Sequence, residues 1–363
     1  YQTFFGKVRV ERTVYQANGD NKAICPMEER AGVIHHNSTP LAAELMAYCS
    51  AHMVPSKVEE FCDRFHMMRP CSTVVKNVAG EVGESFEESS DTIAEESREQ
   101  VKEGREEAKV VARARDWVMV HVRGEGWREA IVGTVRYYKK MNETIEASFV
   151  AQMPEYGRAQ FERKFDGEIQ EALRSIRSGA KAVCLGDGAV SNWEFFDSIP
   201  ELARAPRCLD FMHACGHLKD AAKALFKGDT KAQDTWFEKY RKILKRDRRG
   251  AERAIRSMRY HLSKIPRRQK KRRHEVTKVI RYFTKNLNKM KYRSLRDRGL
   301  PIGSGMVESA CKTVVQARLK QSGMRWSIPG GQAILNLRAG VLSDERWDIA
   351  WSMHLKKNAR AAA

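Results

Sequence analysis

Four acidic residues stand where a folded scaffold would hold them, at the ends of apolar runs or near the start of a helix. They are Asp116, Asp187, Asp210 and Glu308. Carboxylates gathered at one point repel one another and persist in ionised form only with cations between them. Hard oxygen ligands select Mg²⁺ or Mn²⁺. Two such ions, about 3.5 to 4 Å apart, stabilise the attacking and leaving oxygens of an in-line phosphoryl transfer. The sequence thus offers a candidate catalytic site with two divalent cations.

Each acid also has a structural explanation when taken singly. Asp187 and Gly188 are compatible with a simple turn, and Glu308 favours the positive end of its helix by about 0.3 to 1 kcal/mol. The predicted helix has two distinct faces. Its polar stripe recurs at every fourth position, at Glu308, Lys312, Gln316 and Lys320, and its apolar stripe contains Val307, Ala310, Val314 and Ala317. One face can pack on a sheet while the other presents a carboxylate with cations behind it.

Histidines and cysteines cluster around Asp210. His213 is predicted to orient a water or a phosphate, and a packed polar residue is the alternative interpretation. Zinc ligand types also occur there, but their spacing is too tight for a standard finger. Those residues are Cys208, His213, Cys215 and His217. The eight cysteines are scattered without a C-x-x-C pair, which fits a reduced, cytoplasmic setting.

The net charge of +20 comes from one block of the chain. Residues 219–299 contain 29 Lys and Arg against 8 Asp and Glu, a local excess of 21 positive charges. This density predicts a polyanionic partner, with a solubilising surface as the alternative. We predict contacts to double-stranded DNA at Arg248, Arg249, Arg267, Arg268, Lys270, Lys271, Arg272 and Arg273, and nearer the C-terminus at Lys312, Lys320, Arg325 and Trp326. Trp326 is predicted either to stack on a DNA base or to pack in the core.

Apolar periodicity predicts the elements that must position these residues. Three β-branched or aromatic runs, 116–123, 130–138 and 144–150, indicate an antiparallel meander. Two further strands, 181–187 and 207–211, are separated by helices and are expected to be parallel. The result is an α/β (α+β) fold with a mixed sheet of the ribonuclease H-like type, interrupted by an all-helical insertion.

The N-terminal part is predicted to be a separate, helical region. A β-hairpin is expected over 4–15, a helix from 41 to 52, and a second from a capping box at Ser56. Two helices around 56–83 are compatible with a helix-turn-helix or with simple packing. The predicted divisions are a hairpin region (1–40), a helical DNA-binding region (41–83), an acidic connecting helix (84–112), the first part of the catalytic core (113–217), the basic helical insertion (218–300), the second part of the core (301–345) and a tail (346–363).

Three sequence blocks resemble one transposase family. They are PIGSGMVESACKTVVQARLKQSGMRWSIPGGQAILNLRA (301–339), LGDGAVSNW (185–193) and LDFMHACGHL (209–218). They are similar to the ISKra-type transposases of bacterial insertion sequences, which are DDE enzymes with a Mutator-like catalytic domain. The resemblance runs over nearly the whole chain, including QTFFGKVRVERTVY near its start.

The resemblance implies an acidic triad at Asp116, Asp187 and Glu308. It also implies that Asp210 and His213 form the accompanying D-x-x-H element, and that the basic helical block is the family's insertion domain. Two positions depart from the family pattern: Trp117 stands where Gly is usual, and residues 190–193 replace a more aromatic run. For Asp116 to meet Asp187, its strand must begin a few residues earlier, within 113–115.

These observations predict a bacterial DNA transposase that cuts a phosphodiester at the ends of its element and joins the freed 3′-hydroxyl to target DNA. A homodimer or larger assembly on DNA is expected, since two ends must be cut and joined. The alternatives are an inactive DNA-binding descendant, a nuclease without joining activity, and an RNA-binding helical protein. No apolar run approaches the roughly 20 residues that span a bilayer, so we expect a cytoplasmic, nucleoid-associated protein. The chain starts at Tyr1 without an initiator Met, so a targeting segment could be missing.

Overall fold

A computed structural model describes the chain except residues 17–22, 36, 101–104, 141–142, 156, 177–178, 344 and 362–363. Two short antiparallel ladders lie near the N-terminus, β1 (Gln2–Thr3) with β2 (Gly6–Lys7) and β3 (Tyr15–Gln16) with β4 (Ala23–Ile24). The main sheet contains β5 (Val110–Val122), β6 (Gly126–Lys140), β7 (Glu143–Gln152), β8 (Lys181–Gly186) and β9 (Arg207–Leu209).

The main sheet is mixed, with strand order β7-β6-β5-β8-β9. Strands β5, β6 and β7 form an antiparallel meander, whereas β8 runs parallel to β5 and β9 runs parallel to β8. The prediction of a meander followed by parallel strands in an α/β protein is confirmed. Strand β5 begins at Val110, so it starts even earlier than a meeting of Asp116 with Asp187 requires.

Helices surround the sheet and supply the rest of the chain. Before the sheet lie α1 (Pro26–Arg30), α2 (Pro40–His52), α3 (Pro55–Arg64), α4 (Ser72–Glu88) and α5 (Ser90–Gln100). Between and after its strands lie α6 (Ala159–Ser175), α7 (Val190–Asp197) and α8 (Phe211–Leu225). The basic block forms α9 (Thr230–Arg246), α10 (Gly250–Ser263), α11 (Lys270–Lys285) and α12 (Tyr292–Asp297). The C-terminal part contains α13 (Gly305–Ala310), a π-helical segment (Cys311–Gln316), α14 (Ala317–Leu319), α15 (Ile328–Leu342) and α16 (Arg346–Ala361). No described helix is both long and apolar enough to cross a membrane.

Two apolar clusters hold the molecule together, and both include side chains of the sheet. The first joins the N-terminal half of β5 to β8, β9, α6 and the basic helices α9 to α12. The second joins the C-terminal half of β5 to α2, α4, α15 and α16. Burial of apolar surface stabilises each by about 25 cal/mol per Å². The helical block and the N-terminal helices therefore share cores with the sheet.

The N-terminal helices do not form a free-standing DNA-binding unit. Helix α4, the predicted recognition helix, packs between α2 and α15. At Gly83 an added Cβ would lie 2.5 Å from the carbonyl oxygen of Ala333, so the two helix backbones are in contact. On the same helix Lys76 is exposed and Asn77 contacts His35 at 3.0 Å. The simple packing of these helices is observed, and the helix-turn-helix interpretation stays a prediction.

Several boundary predictions in this region are wrong. Helix α3 starts at Pro55 without a side-chain cap, and Glu59 instead accepts a hydrogen bond from the amide of Ser72 at 3.0 Å. The run 4–15 is not one continuous strand, but antiparallel ladders lie at its two ends, β1–β2 and β3–β4, as a small hairpin or meander requires. Residues 17–22 between β3 and β4, which include the Asn18-Gly19-Asp20 sequence typical of a turn, lie outside the described residues.

Two predicted connecting segments are helices that contribute to the core. The acidic stretch 84–112 contains the end of α4, all of α5 and the start of β5, and α5 packs on α6 and α16 through buried Ile93 and Ala94. The predicted tail 346–363 contains α16, whose Trp347 and Trp351 are buried. Both predictions failed because sparse apolar residues at helical spacing were read as solvated surface.

The helix that carries Glu308 contains π-helical turns. In a π-helix the hydrogen bonds run from i to i+5, which shifts later side chains relative to an α-helix. The predicted apolar stripe holds as far as Val314 but fails at Ala317, which is exposed, while Arg318 and Leu319 are buried. The predicted polar stripe stays on the outside, with Glu308, Lys312 and Lys320 exposed and Gln316 half-buried.

Arg338 on α15 satisfies main-chain oxygens of this irregular segment. Its buried guanidinium donates hydrogen bonds to the carbonyls of Val314 (2.6 Å), Thr313 and Ala51. A second buried guanidinium, Arg318, donates to the carbonyl of Ser50 at 3.0 Å. Burial lowers the pKa of each to about 10. Both arginines therefore join the Glu308 helix to the C-terminus of α2 as cations at neutral pH.

Candidate active site

The parallel half of the sheet brings three aspartates to one edge. The last pair in the β5–β8 register lies two residues before Asp116 and Asp187, so these two arrive at the same level. On the other side of β8, the amide of Asp210 donates a hydrogen bond to the carbonyl of Gly186 at 2.7 Å. Asp187 and Asp210 directly follow the carboxyl ends of β8 and β9, and Asp116 lies within β5 at the same level, so the three acids stand side by side.

The Asp187 carboxylate is held by the loop and helix that follow it. One of its oxygens, Oδ1, accepts hydrogen bonds from the amide of Ala189 and from the side chain of Asn192, each at 2.9 Å. Asn192 in turn accepts from the buried guanidinium of Arg115 at 2.9 Å. Because Arg115 precedes Asp116, this network ties Asp116 and Asp187 together. The sequence analysis did not identify Arg115 as part of the site. An arginine within an otherwise apolar strand is the feature that could have indicated it.

Asp210 is buried and holds two main-chain segments in place. It is 1% exposed, and its two carboxylate oxygens accept hydrogen bonds from the amides of His213 and Ser304. The first bond caps α8, and the second fixes the segment that leads into the Glu308 helix. These bonds support a positioning role, and the catalytic role predicted from the sequence stays a prediction.

We expect Asp210→Asn to destabilise the fold by about 2 to 4 kcal/mol, since hydrogen bonds to a charged group are worth about 1.5 to 3 kcal/mol each. The amide has one acceptor oxygen and would turn its NH₂ toward a main-chain N–H. Denaturant unfolding measures this change. Asp229→Asn is the matched control, because Asp229 caps α9 by one exposed bond to Ala232 and Asn caps helices well. An unchanged unfolding midpoint for Asp210→Asn would show that the two hydrogen bonds of Asp210 do not stabilise the fold.

Glu308 reaches the same edge from a different direction. Its helix α13 packs on β5 and β6, and its side chain is exposed. Its charge acts on Asp116 together with that of Asp187. Among the described residues, no three His, Cys, Asp or Glu side chains are gathered closely enough to hold one metal ion. Asp116 and Asp187 are held by hydrogen bonds and form the fixed pair, whereas Glu308 is exposed.

The pKa of Asp116 is raised to about 6, mainly because the carboxyl is largely buried. The amide of Trp117, at 2.8 Å, opposes the shift, and the negative charges of Asp187 and Glu308 add to it. A cation between these acids would relieve the repulsion, and carboxylate oxygens are the ligands that Mg²⁺ and Mn²⁺ prefer. The donor set therefore fits the divalent ions that the sequence predicts.

Asp116→Asn should stabilise the protein at pH 7.5 and leave its stability nearly unchanged below pH 4. An acid whose pKa is raised on folding contributes stability only while it is protonated, so the native chain loses stability as pH rises from about 4 to about 6. Removing the charge should recover about 1 to 3 kcal/mol at pH 7.5. Thermal or urea unfolding across this pH range measures it. Equal stabilities of the variant and the unchanged chain at pH 7.5 would show that Asp116 is not under repulsion.

An aromatic cluster borders the edge beside the aspartates. His213 is exposed, and its ring lies 5.1 Å from that of His217. The ring of Tyr282 on α11 lies 3.9 Å from that of His217, and its hydroxyl donates to the main-chain carbonyl of Asp187 at 2.7 Å. Sequence reasoning missed Tyr282 because it lies 95 residues from Asp187 and was counted only as part of an amphipathic helix.

The zinc ligand types around Asp210 are not gathered into a metal-binding group among the described residues. Cys208 is fully buried, and burial raises the pKa of its thiol well above the ordinary range. Cys215 is also buried, whereas His213 is exposed. The two cysteines serve the packing of β9 and α8.

Most of the predicted DNA-binding cations are exposed, as a phosphate contact requires. Those exposed are Arg248, Arg249, Arg267, Arg268, Lys270, Lys271, Lys312, Lys320 and Arg325. Arg272 and Arg273 differ, because their guanidiniums donate to carbonyls at the C-terminal ends of α8 and α10. We withdraw these two arginines from the predicted DNA-binding set. Trp326 is half-buried, and its backbone pairs with β5 while its indole N–H donates to the carbonyl of Leu319 at 3.1 Å, which favours the core alternative.

No protein-family model matches this chain, and no curated protein sequence matches it. The function is therefore argued from the sheet, the carboxylates and the distribution of charge.

Proposed function

We propose that the protein is a DNA transposase that transfers phosphoryl groups with the help of divalent cations. The observation that carries this proposal is the arrival of Asp116 and Asp187 at one level of adjacent parallel strands, within electrostatic reach of Glu308. A largely buried Asp116, on which the negative charges of Asp187 and Glu308 act, forms with them a natural site for divalent cations.

The architecture supports a ribonuclease H-like catalytic domain. A meander of three strands followed by two parallel strands, with the last acid on a helix packed against β5 and β6, is the arrangement that the sequence suggested. The resemblance of blocks 185–193, 209–218 and 301–339 to ISKra-type transposases supports the same assignment. The helices α9 to α12 then correspond to the family's insertion domain.

In this proposal each residue has a separate role. Asp116, Asp187 and Glu308 would hold two Mg²⁺ or Mn²⁺ ions. Those ions, when bound, would supply positive charge to the attacking and leaving oxygens of an in-line displacement. Asp210 fixes the approach to the Glu308 helix. His213, exposed beside Asp116, can orient the phosphodiester or its attacking water.

The basic helical block would hold the DNA backbone. Its exposed lysines and arginines give an affinity that falls steeply with salt and carries little sequence information. Cutting and joining two DNA ends requires two active sites, so we propose a homodimer or larger assembly on double-stranded DNA in a bacterial cell.

The test is incubation of the full chain with labelled DNA carrying the ends of its element, in Mg²⁺, in Mn²⁺ and in EDTA. We expect metal-dependent nicks at the ends, followed by strand-transfer products. Nicks without transfer would identify a nuclease. DNA binding without nicks would identify an inactive DNA-binding protein, and stronger competition by RNA than by DNA would identify an RNA-binding protein.

A further inference from the structure

Tyr282 links the basic helical block to the loop that carries Asp187. Its hydroxyl, on α11, donates a hydrogen bond of 2.7 Å to the main-chain carbonyl of Asp187. The two residues are 95 positions apart in the chain. This bond therefore connects the inserted helices directly to a proposed metal ligand.

The loop around Asp187 is shaped to receive this hydroxyl. Gly188 has φ +100°, a conformation that L side chains rarely adopt. A Cβ at Gly188 would lie 2.6 Å from the Tyr282 hydroxyl oxygen. The missing side chain at position 188 is thus what allows the tyrosine to approach the peptide.

The ring of Tyr282 is fixed from the other side by the helix after Asp210. His217 stacks on it at 3.9 Å between ring centroids, and Tyr282 is half-buried. A side chain held by both a stacked ring and a hydrogen bond retains little rotational freedom. Its hydroxyl is consequently a fixed donor, and the Asp187–Gly188 peptide is oriented by it.

The same peptide determines where the Asp187 carboxylate points. Its Oδ1 is bound to the amide of Ala189 and to Asn192, so the loop and the carboxylate turn together. We propose that Tyr282 is a positioning residue that aligns Asp187 with Asp116 for metal binding, and that the helical block thereby completes the catalytic site. This inference rests on the proposed metal-dependent function.

Tyr282→Phe tests the inference, because it removes the hydroxyl and keeps the ring that stacks on His217. Mn²⁺ binding is measured by calorimetry on the full chain, together with the Mn²⁺ dependence of DNA nicking. We expect about tenfold weaker Mn²⁺ binding, as for other groups that orient metal ligands. Saturating Mn²⁺ should restore the nicking rate, and DNA affinity should stay unchanged because the exposed cations beside it, Lys278, Arg281 and Lys285, are kept.

The matched control is Tyr260→Phe on α10, whose side chain is 56% exposed and lies outside the site. It should bind Mn²⁺ as the unchanged chain does. Equal Mn²⁺ affinity of Tyr282→Phe and the unchanged chain, or a nicking rate that saturating Mn²⁺ fails to restore, would overturn the positioning role. If the unchanged chain binds no Mn²⁺, the proposed function fails first, and this inference fails with it.

Discussion

Asp187→Ala and Glu308→Ala should each reduce strand cleavage and strand transfer by about 10³-fold or more, since a lost metal contact removes several kcal/mol of transition-state stabilisation. Asp187 belongs to the fixed pair at the sheet edge, and Glu308 supplies the third carboxylate from the exposed face of α13. Both variants should still bind DNA, because the exposed cations of the helical block are unchanged. A strand-transfer assay with labelled ends, beside a DNA-binding assay, measures the two properties separately.

The control for this pair is Asp234→Ala, which removes an exposed acid of α9 that has no place in the site. It should cleave and transfer at the rate of the unchanged chain. If Asp187→Ala and Glu308→Ala both transfer strands as well as the unchanged chain does, the site assignment is wrong. Loss of activity in Asp234→Ala to the same degree would point instead to a general effect of charge on DNA binding.

The largest effect on stability is expected for Arg338→Met. Its guanidinium donates to three main-chain carbonyls, two of them in the π-helical segment, and the bonds to Val314 and Ala51 are buried. Leaving buried acceptors unpaired costs about 1 to 3 kcal/mol each, so we expect a loss of at least about 3 kcal/mol. Methionine fills most of the same space and isolates the loss of hydrogen bonds from the opening of a cavity. Urea unfolding followed by circular dichroism measures the difference.

Arg259→Met serves as its control, because Arg259 is exposed on α10, and such surface changes usually stay within about 0.5 kcal/mol. A buried charge can also be replaced at little cost when apolar packing improves. A stability of Arg338→Met equal to that of Arg259→Met would therefore show that its hydrogen bonds do not hold the π-helical segment to α2.

The local pattern of apolar residues was sufficient to predict the strands and helices that carry the acidic residues. The β-branched runs after residue 110 predicted the meander, and the short apolar runs before Asp187 and Asp210 predicted two further strands. The requirement that Asp116 meet Asp187 also indicated that the first strand begins before Asp116, which the structure confirms with a start at Val110.

Contacts between distant parts of the chain could not be predicted in this way. Tyr282 contacts Asp187 although the two are separated in sequence by several helices of the basic block. The periodicity of apolar residues gives no information about such a contact. The π-helical turns likewise depend on Arg338, which lies outside the segment that it stabilises. Asp210 was correctly placed at a strand end. Its burial and its two amide partners, which distinguish a residue that positions the main chain from a metal ligand, could not be predicted from the sequence.

The shared core of α2, α4, α15, α16 and the C-terminal half of β5 has a consequence for shortened copies of the gene. Loss of either end of the chain uncovers the apolar side of the central strand. Such fragments should be less stable than the full chain, since they expose apolar side chains that the full chain buries.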